Sequence, residues 1–104
     1  MTQPMTQWVQ AFLEAQAAEL DAATNTQLAY ARDLQDFADW LTQRDAHFAN
    51  ATRESAEAYL IACEAEGLAA STRARRLSAI KQLFRFAFEE GWRDDNPAIQ
   101  IKGP

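Results

Sequence analysis

Apolar positions recur along this chain at intervals of three and four, the spacing of helices that bury one side. Glycine and proline occur only at Pro4, Gly67, Gly91, Pro97, Gly103 and Pro104, which leaves long uninterrupted blocks between them. The spacing predicts a first helix over residues 5–20, starting after Pro4, with Trp8, Phe12, Leu13 and Leu20 on one side. A second helix is expected over 24–44, burying Tyr30, Leu34, Phe37, Ala38 and Leu41. Thr24 followed by Gln27 fits a capping box at its start. Residues 45–51 read as a polar loop.

Thr52 is a good N-cap for a third helix over 52–66, with Glu54 at its positive end. Ala56, Tyr59, Leu60 and Cys63 form its inner stripe, and Gly67 supplies a left-handed stop. A fourth helix over 71–90 ends at Gly91 by the same device, with Leu77, Ile80, Leu83, Phe84, Ala87 and Phe88 facing inward. The turn 92–97 leads into a short apolar tail, 98–101, and then Lys102-Gly103-Pro104. The expectation is an all-α fold, a compact bundle of four helices over residues 1–97, followed by the start of a linker at 98–104.

Composition agrees with that reading. Ala occurs 22 times and Val plus Ile five times among 104 residues, a mix that favours helix and starves a sheet of β-branched residues. The lone Cys63 excludes an internal disulfide and a cysteine-based zinc cage, and points to a reducing compartment. The apolar runs fall short of the roughly 20 residues a membrane span needs. The start, Met1-Thr2-Gln3-Pro4-Met5, lacks the charge and apolar core of a signal peptide, so a cytoplasmic location is expected.

Charge changes the picture more. The formal net charge is −5, which as a bulk figure argues against nucleic acid. Between Ser71 and Phe88, however, stand Arg73, Arg75, Arg76, Lys81 and Arg85 with no acid among them. The rest of the chain carries five basic and fifteen acidic residues. At 100° per residue the face opposite the apolar stripe presents Ser71, Arg75, Ser78, Gln82 and Arg85, with Lys81 and Arg76 on the flanks. Ala74, Ser78 and Ala79 keep that face slim enough for close approach. Arg can take guanine bidentately, Gln can read adenine, and Ser or Lys can hold phosphates in a major groove. The plain alternative is a solvated helix face. A further alternative is internal pairing of Arg73 or Arg76 with Asp33 or Asp36 of the second helix. On the second helix Asn25 and Thr26 sit in the first turn with Arg32 following, either holding a phosphate at the helix N-terminus or simply capping it.

Two runs carry a family resemblance. They are Asn25-Thr26-x-x-x-Tyr30-x-x-Asp33-Leu34-x-x-Phe37 and Gly67-Leu68-x-x-Ser71-Thr72-x-x-Arg75-Arg76-Leu77-Ser78-Ala79-Ile80-Lys81-x-Leu83-Phe84. Together with Glu90-Gly91, Asp95-Asn96-Pro97 and Phe12-Leu13, they resemble the N-terminal core-binding domain of Xer-type tyrosine recombinases of the phage integrase family. The resemblance covers essentially the whole chain. It implies a SAM-like helical domain forming one jaw of a clamp on a recombination half-site, its second and fourth helices facing the major groove of double-stranded DNA. It points to Asn25, Thr26, Arg32, Ser71, Thr72, Arg75, Ser78 and Gln82 as DNA-binding residues, with Arg76 and Lys81 towards the backbone. Ala23 and Ala69 stand where the family often has Ser, so capping falls to Thr24 and to Ser71 or Thr72, and Ser71 is then either a cap or a contact. Gln82 has no fixed family identity.

The resemblance also implies a separate C-terminal catalytic domain with a tyrosine nucleophile, a role in DNA recombination, integration or chromosome partition, and partner protomers. Within this chain no catalytic residue, metal site, cofactor or small-molecule substrate is expected: Tyr30 and Tyr59 fall on buried stripes, and His47 sits alone in a loop. The rival function is a helical protein-interaction module docking an acidic partner or a neighbouring protomer, through Trp8 and Val9 or through Ile99 and Ile101.

Overall fold

A computed structural model describes residues 4–20 and 24–103, without the side chains of residues 19 and 20. Four helices follow one another: α1 (Met5–Leu20), α2 (Thr24–Thr42), α3 (Arg53–Ala65) and α4 (Ala70–Glu89). Among the described residues there is no strand, and the fold is all-α as expected. The predicted Leu20 contact and the Asp21-Ala22-Ala23 connection lie outside what is described.

The helix ends follow local chemistry. Thr52 caps α3, its hydroxyl accepting from the Ser55 amide at 3.1 Å while Ser55 Oγ accepts from the Thr52 amide at 3.2 Å. Glu54 lies in the same first turn. Gly67 and Gly91 take φ of +87° and +78°, the left-handed stop expected of them. In each case two amides close back on the last turn: Leu68 N to Cys63 O and Gly67 N to Glu64 O, then Trp92 N to Ala87 O and Gly91 N to Phe88 O. The end of α2 repeats this pattern with Asp45 at φ 56°, a position that carried no glycine signal. The capping box expected of Thr24 and Gln27 does not form: Thr24 is the first residue of α2, and Gln27 donates its amide to Leu13 O of α1 at 2.9 Å.

α4 packs against α1, α2 and α3, as α2 does against the other three helices. The buried arc of α4 is therefore wider than a single stripe. Leu77, Ile80, Leu83, Phe84 and Ala87 point inward as expected. Ala79, expected on the outer face, is fully buried. Phe88, expected inside, is 52 % exposed. On α3 Ala56, Tyr59 and Cys63 are buried, and Leu60 is half-buried.

The core is aromatic. The Phe37 ring centroid lies 4.8 Å from that of Tyr59 and 5.9 Å from that of Phe48, and Phe84 meets both Phe37 and Phe48 edge-on. Trp8 joins through Phe48 and Trp92. Phe48 comes from the segment read as a polar loop, yet it is fully buried. Arg93 fastens that loop by donating to the carbonyls of Phe48 and Ala51 at 2.6 and 2.8 Å. Ala98 and Ile101 of the tail are buried against the same core, while Ile99 is 66 % exposed.

Candidate nucleic-acid interface

α2 and α4 lie side by side, and polar groups along their seam connect them. Tyr30 Oη sits 3.5 Å from Ser78 Oγ. Gln82 Nε2 donates to Tyr30 Oη at 3.2 Å and to Ser78 Oγ at 3.0 Å, and Gln82 Oε1 accepts from Gln16 of α1 at 2.6 Å. Ser78 and Gln82, expected as DNA contacts, are thus engaged with each other, with Tyr30 and, through Gln82, with Gln16. Both are half-buried.

The cations of α4 divide sharply. Arg73 donates to Leu68 O and to Glu64 at 3.2 Å, on the α3 side. Arg76 turns inward: Nη1 donates to Asp36 at 2.9 Å, to Tyr59 Oη at 3.0 Å and to Cys63 Sγ at 3.7 Å, and Nε lies 3.5 Å from Asp33 Oδ1. Burial lowers the pKa of Arg76, but Tyr59 and Asp36 outweigh it and the net shift is upward. Arg75 sends Nε to Asp33 Oδ2 at 2.8 Å and Nη2 to Asp33 Oδ1 at 2.9 Å. Those bonds raise its pKa. Arg85 pairs along the helix with Glu89 at 3.1 Å, exposed on both sides. Lys81 makes no ion pair among the described residues.

The alternative of internal pairing with α2 therefore holds for Arg76 and not for Arg73. Arg75 pairs there as well, which the angle of its position did not suggest. One signal was present: Asp33 falls on the buried stripe between Tyr30 and Phe37, and a carboxylate is seldom buried without a cation.

The remaining expected residues are spread over the two helices. Asn25, Thr26 and Arg32 are exposed on α2, and no side-chain hydrogen bond engages them among the described residues. At the start of α4 the N-cap is Ala69, with no side-chain cap. Ser71 and Thr72 lie inside the helix, so neither is the cap; Ser71 is exposed and Thr72 half-buried. No cluster of three or more His, Cys, Asp or Glu able to hold a metal occurs among the described residues. No helix among them is long and apolar enough to cross a membrane.

The chain is 42 % identical over 97 residues to the tyrosine recombinase XerD of Caulobacter vibrioides, covering 93 % of this chain and 32 % of that protein. With the XerD of Rhizobium meliloti the figures are 38 % over 104 residues, 100 % and 33 %. With that of Agrobacterium fabrum they are 40 % over 96 residues, 92 % and 29 %. The chain thus spans about a third of the length of these relatives. A family model for the phage integrase N-terminal SAM-like domain matches residues 3–91, nearly the whole helical bundle. On that match, the chain belongs to the phage integrase N-terminal SAM-like domain family.

Proposed function

We propose that this chain is the DNA-binding domain of a site-specific tyrosine recombinase, and that α2 and α4 lie against the major groove of a recombination half-site. The observation that carries the reading is Arg75, half-exposed at the α2–α4 seam, with Lys81 and Arg85 further along the same helix of a net acidic chain whose relatives are tyrosine recombinases. Arg32 and Lys81 have no carboxylate partner among the described residues and are the natural phosphate contacts. Ser71 and Thr72 near the start of α4, with Asn25 and Thr26 in the first turn of α2, supply small donors close to helix N-termini, where phosphate is favoured.

Base reading falls chiefly to Arg75, because Ser78 and Gln82 already bond Tyr30, Gln16 and each other. Arg76 belongs to the core of the bundle more than to its surface. The acidic remainder repels DNA elsewhere, which orients approach to this one face. Strand cleavage in this reading is the work of the other two-thirds of the recombinase, and partner protomers assemble on the same DNA.

The test is fluorescence anisotropy on labelled duplexes over a salt series. With three to five phosphate contacts, log affinity falls with log salt with a slope of about −3 to −4.5. A flat response, or no binding near about 50 mM salt, overturns the reading. A second reading, a protein-docking face, rests on Phe88 and Ile99, both more than half exposed beside Lys81 on an open groove of about 630 Å³. Size-exclusion at two concentrations, with and without DNA, separates the two: self-association without DNA favours docking.

A further inference from the structure

We infer that Asp33 is a positioning residue for DNA recognition: it grips the Arg75 guanidinium by its Nε–Nη2 edge and leaves the Nη1–Nη2 edge to meet a base or phosphate. The inference rests on the functional reading above.

Asp33 is 2 % exposed on the inner stripe of α2, where a lone carboxylate would be strongly disfavoured. Both its oxygens are taken by Arg75, through Nε at 2.8 Å and Nη2 at 2.9 Å. Arg76 Nε at 3.5 Å adds charge without a hydrogen bond. A guanidinium carries five N–H donors in a rigid plane. The side-on grip uses two of them. Both hydrogens of Nη1 and the second of Nη2 make no bond among the described residues, and the Arg75 side chain remains 45 % exposed. That free edge is the two-pronged donor that fits guanine O6 and N7, or two phosphate oxygens.

Two consequences follow from the chemistry. The rotamer freedom of Arg75 is given up on folding and not on binding, which sharpens recognition. The pair is also nearly neutral, so Arg75 adds little long-range attraction and its contribution appears as discrimination between sequences. The adjacent Arg76 makes a contrast, since its Nη1 is spent on Asp36, Tyr59 and Cys63.

The experiment selects duplexes from a randomised pool with the wild-type chain. Anisotropy then measures affinity for the best duplex and for a scrambled duplex of the same composition. Wild type, Asp33→Asn, Arg75→Ala and the double variant are compared, with folding checked by circular dichroism. Asp33→Asn is expected to lose on the order of ten-fold in discrimination. Its affinity for the scrambled duplex rises, because one negative charge has gone from beside the phosphates. A purely structural role would weaken both affinities together. In the Arg75→Ala background Asp33→Asn leaves discrimination within about two-fold, as expected of a residue acting through Arg75. Wild-type discrimination in Asp33→Asn, or an equal loss in both backgrounds, overturns the inference. Should Asp33→Asn not fold, Arg75→Lys decides: it keeps the charge but not the fork, and retained discrimination overturns the inference. A wild-type chain that binds no duplex in a salt-dependent way removes the functional reading itself, a result distinct from binding that persists without dependence on Asp33.

Discussion

Tyr59 donates its hydroxyl proton to Asp36 Oδ2 at 2.6 Å, which ties α3 to α2 beneath Arg76. Burial first, and then this bond, push the Tyr59 pKa well above its ordinary 10.0. The folded chain thus keeps a proton that the unfolded chain releases, so the associated stability is fully present below about pH 10 and is lost as pH rises beyond it. The slope from this one group is about 1.4 kcal/mol per pH unit. Urea unfolding of wild type and Tyr59→Phe between about pH 9 and 11 should show the extra decline in wild type alone. Parallel pH profiles would contradict it.

Phe48 and Phe88 exchange the roles their sequence neighbourhoods suggest, and their truncation should show it. Phe48→Ala removes a fully buried ring from the aromatic cluster and should cost about 3–5 kcal/mol. Phe88→Ala, at a position 52 % exposed, should stay within about 0.5 kcal/mol of wild type. Thermal melts decide it, since about 1 kcal/mol shifts the midpoint of a domain this size by roughly 4–8 °C. Equal shifts for the two variants would refute the burial assignment.

Gly91 isolates a backbone effect. Its φ is +78°, and a Cβ built there meets nothing within 4 Å. Gly91→Ala should therefore destabilise through left-handed strain alone, by about 1–2 kcal/mol. A neutral Gly91→Ala would mean the end of α4 rearranges freely.

Salt dependence should separate the cations of α4. Lys81→Ala is expected to reduce the magnitude of the log–log salt slope of DNA binding by about 0.9, as one phosphate contact is lost. Arg73→Ala should leave the slope unchanged, because Arg73 is bound to Glu64 and Leu68 O on the α3 side. Equal slopes for wild type and the Lys81 variant would remove Lys81 from the contact set.

How legible these features were depended on how local their causes are. The stop at Gly67 and the cap at Thr52 rest on residues within one helical turn, and both stand as read. Phe48 was misplaced because one apolar residue in a short polar segment has no period to reveal it. Ala79 was assigned to the wrong face because α4 packs against three helices, so its buried arc exceeds one stripe, whereas Phe88 lies where no helix covers it. In the candidate interface, the clustering of cations was visible. So was the pairing of Arg76 with α2, as one of two alternatives; the commitments of Arg75 to Asp33 and of Arg73 to Glu64 were not.

By itself the sequence determined four helices, the punctuation of α3 and α4, and the concentration of positive charge on one of them, since each follows from residues close along the chain. Only the tertiary structure decided which cations remain available. Arg75 and Asp33 are 42 residues apart, as separated in sequence as whole helices, and their fork forms only after α2 and α4 pack. A helix's angular pattern says which side a residue is on. The neighbouring helix decides whether its charge is free or already answered by a carboxylate, because burial makes that pairing obligatory for Asp33.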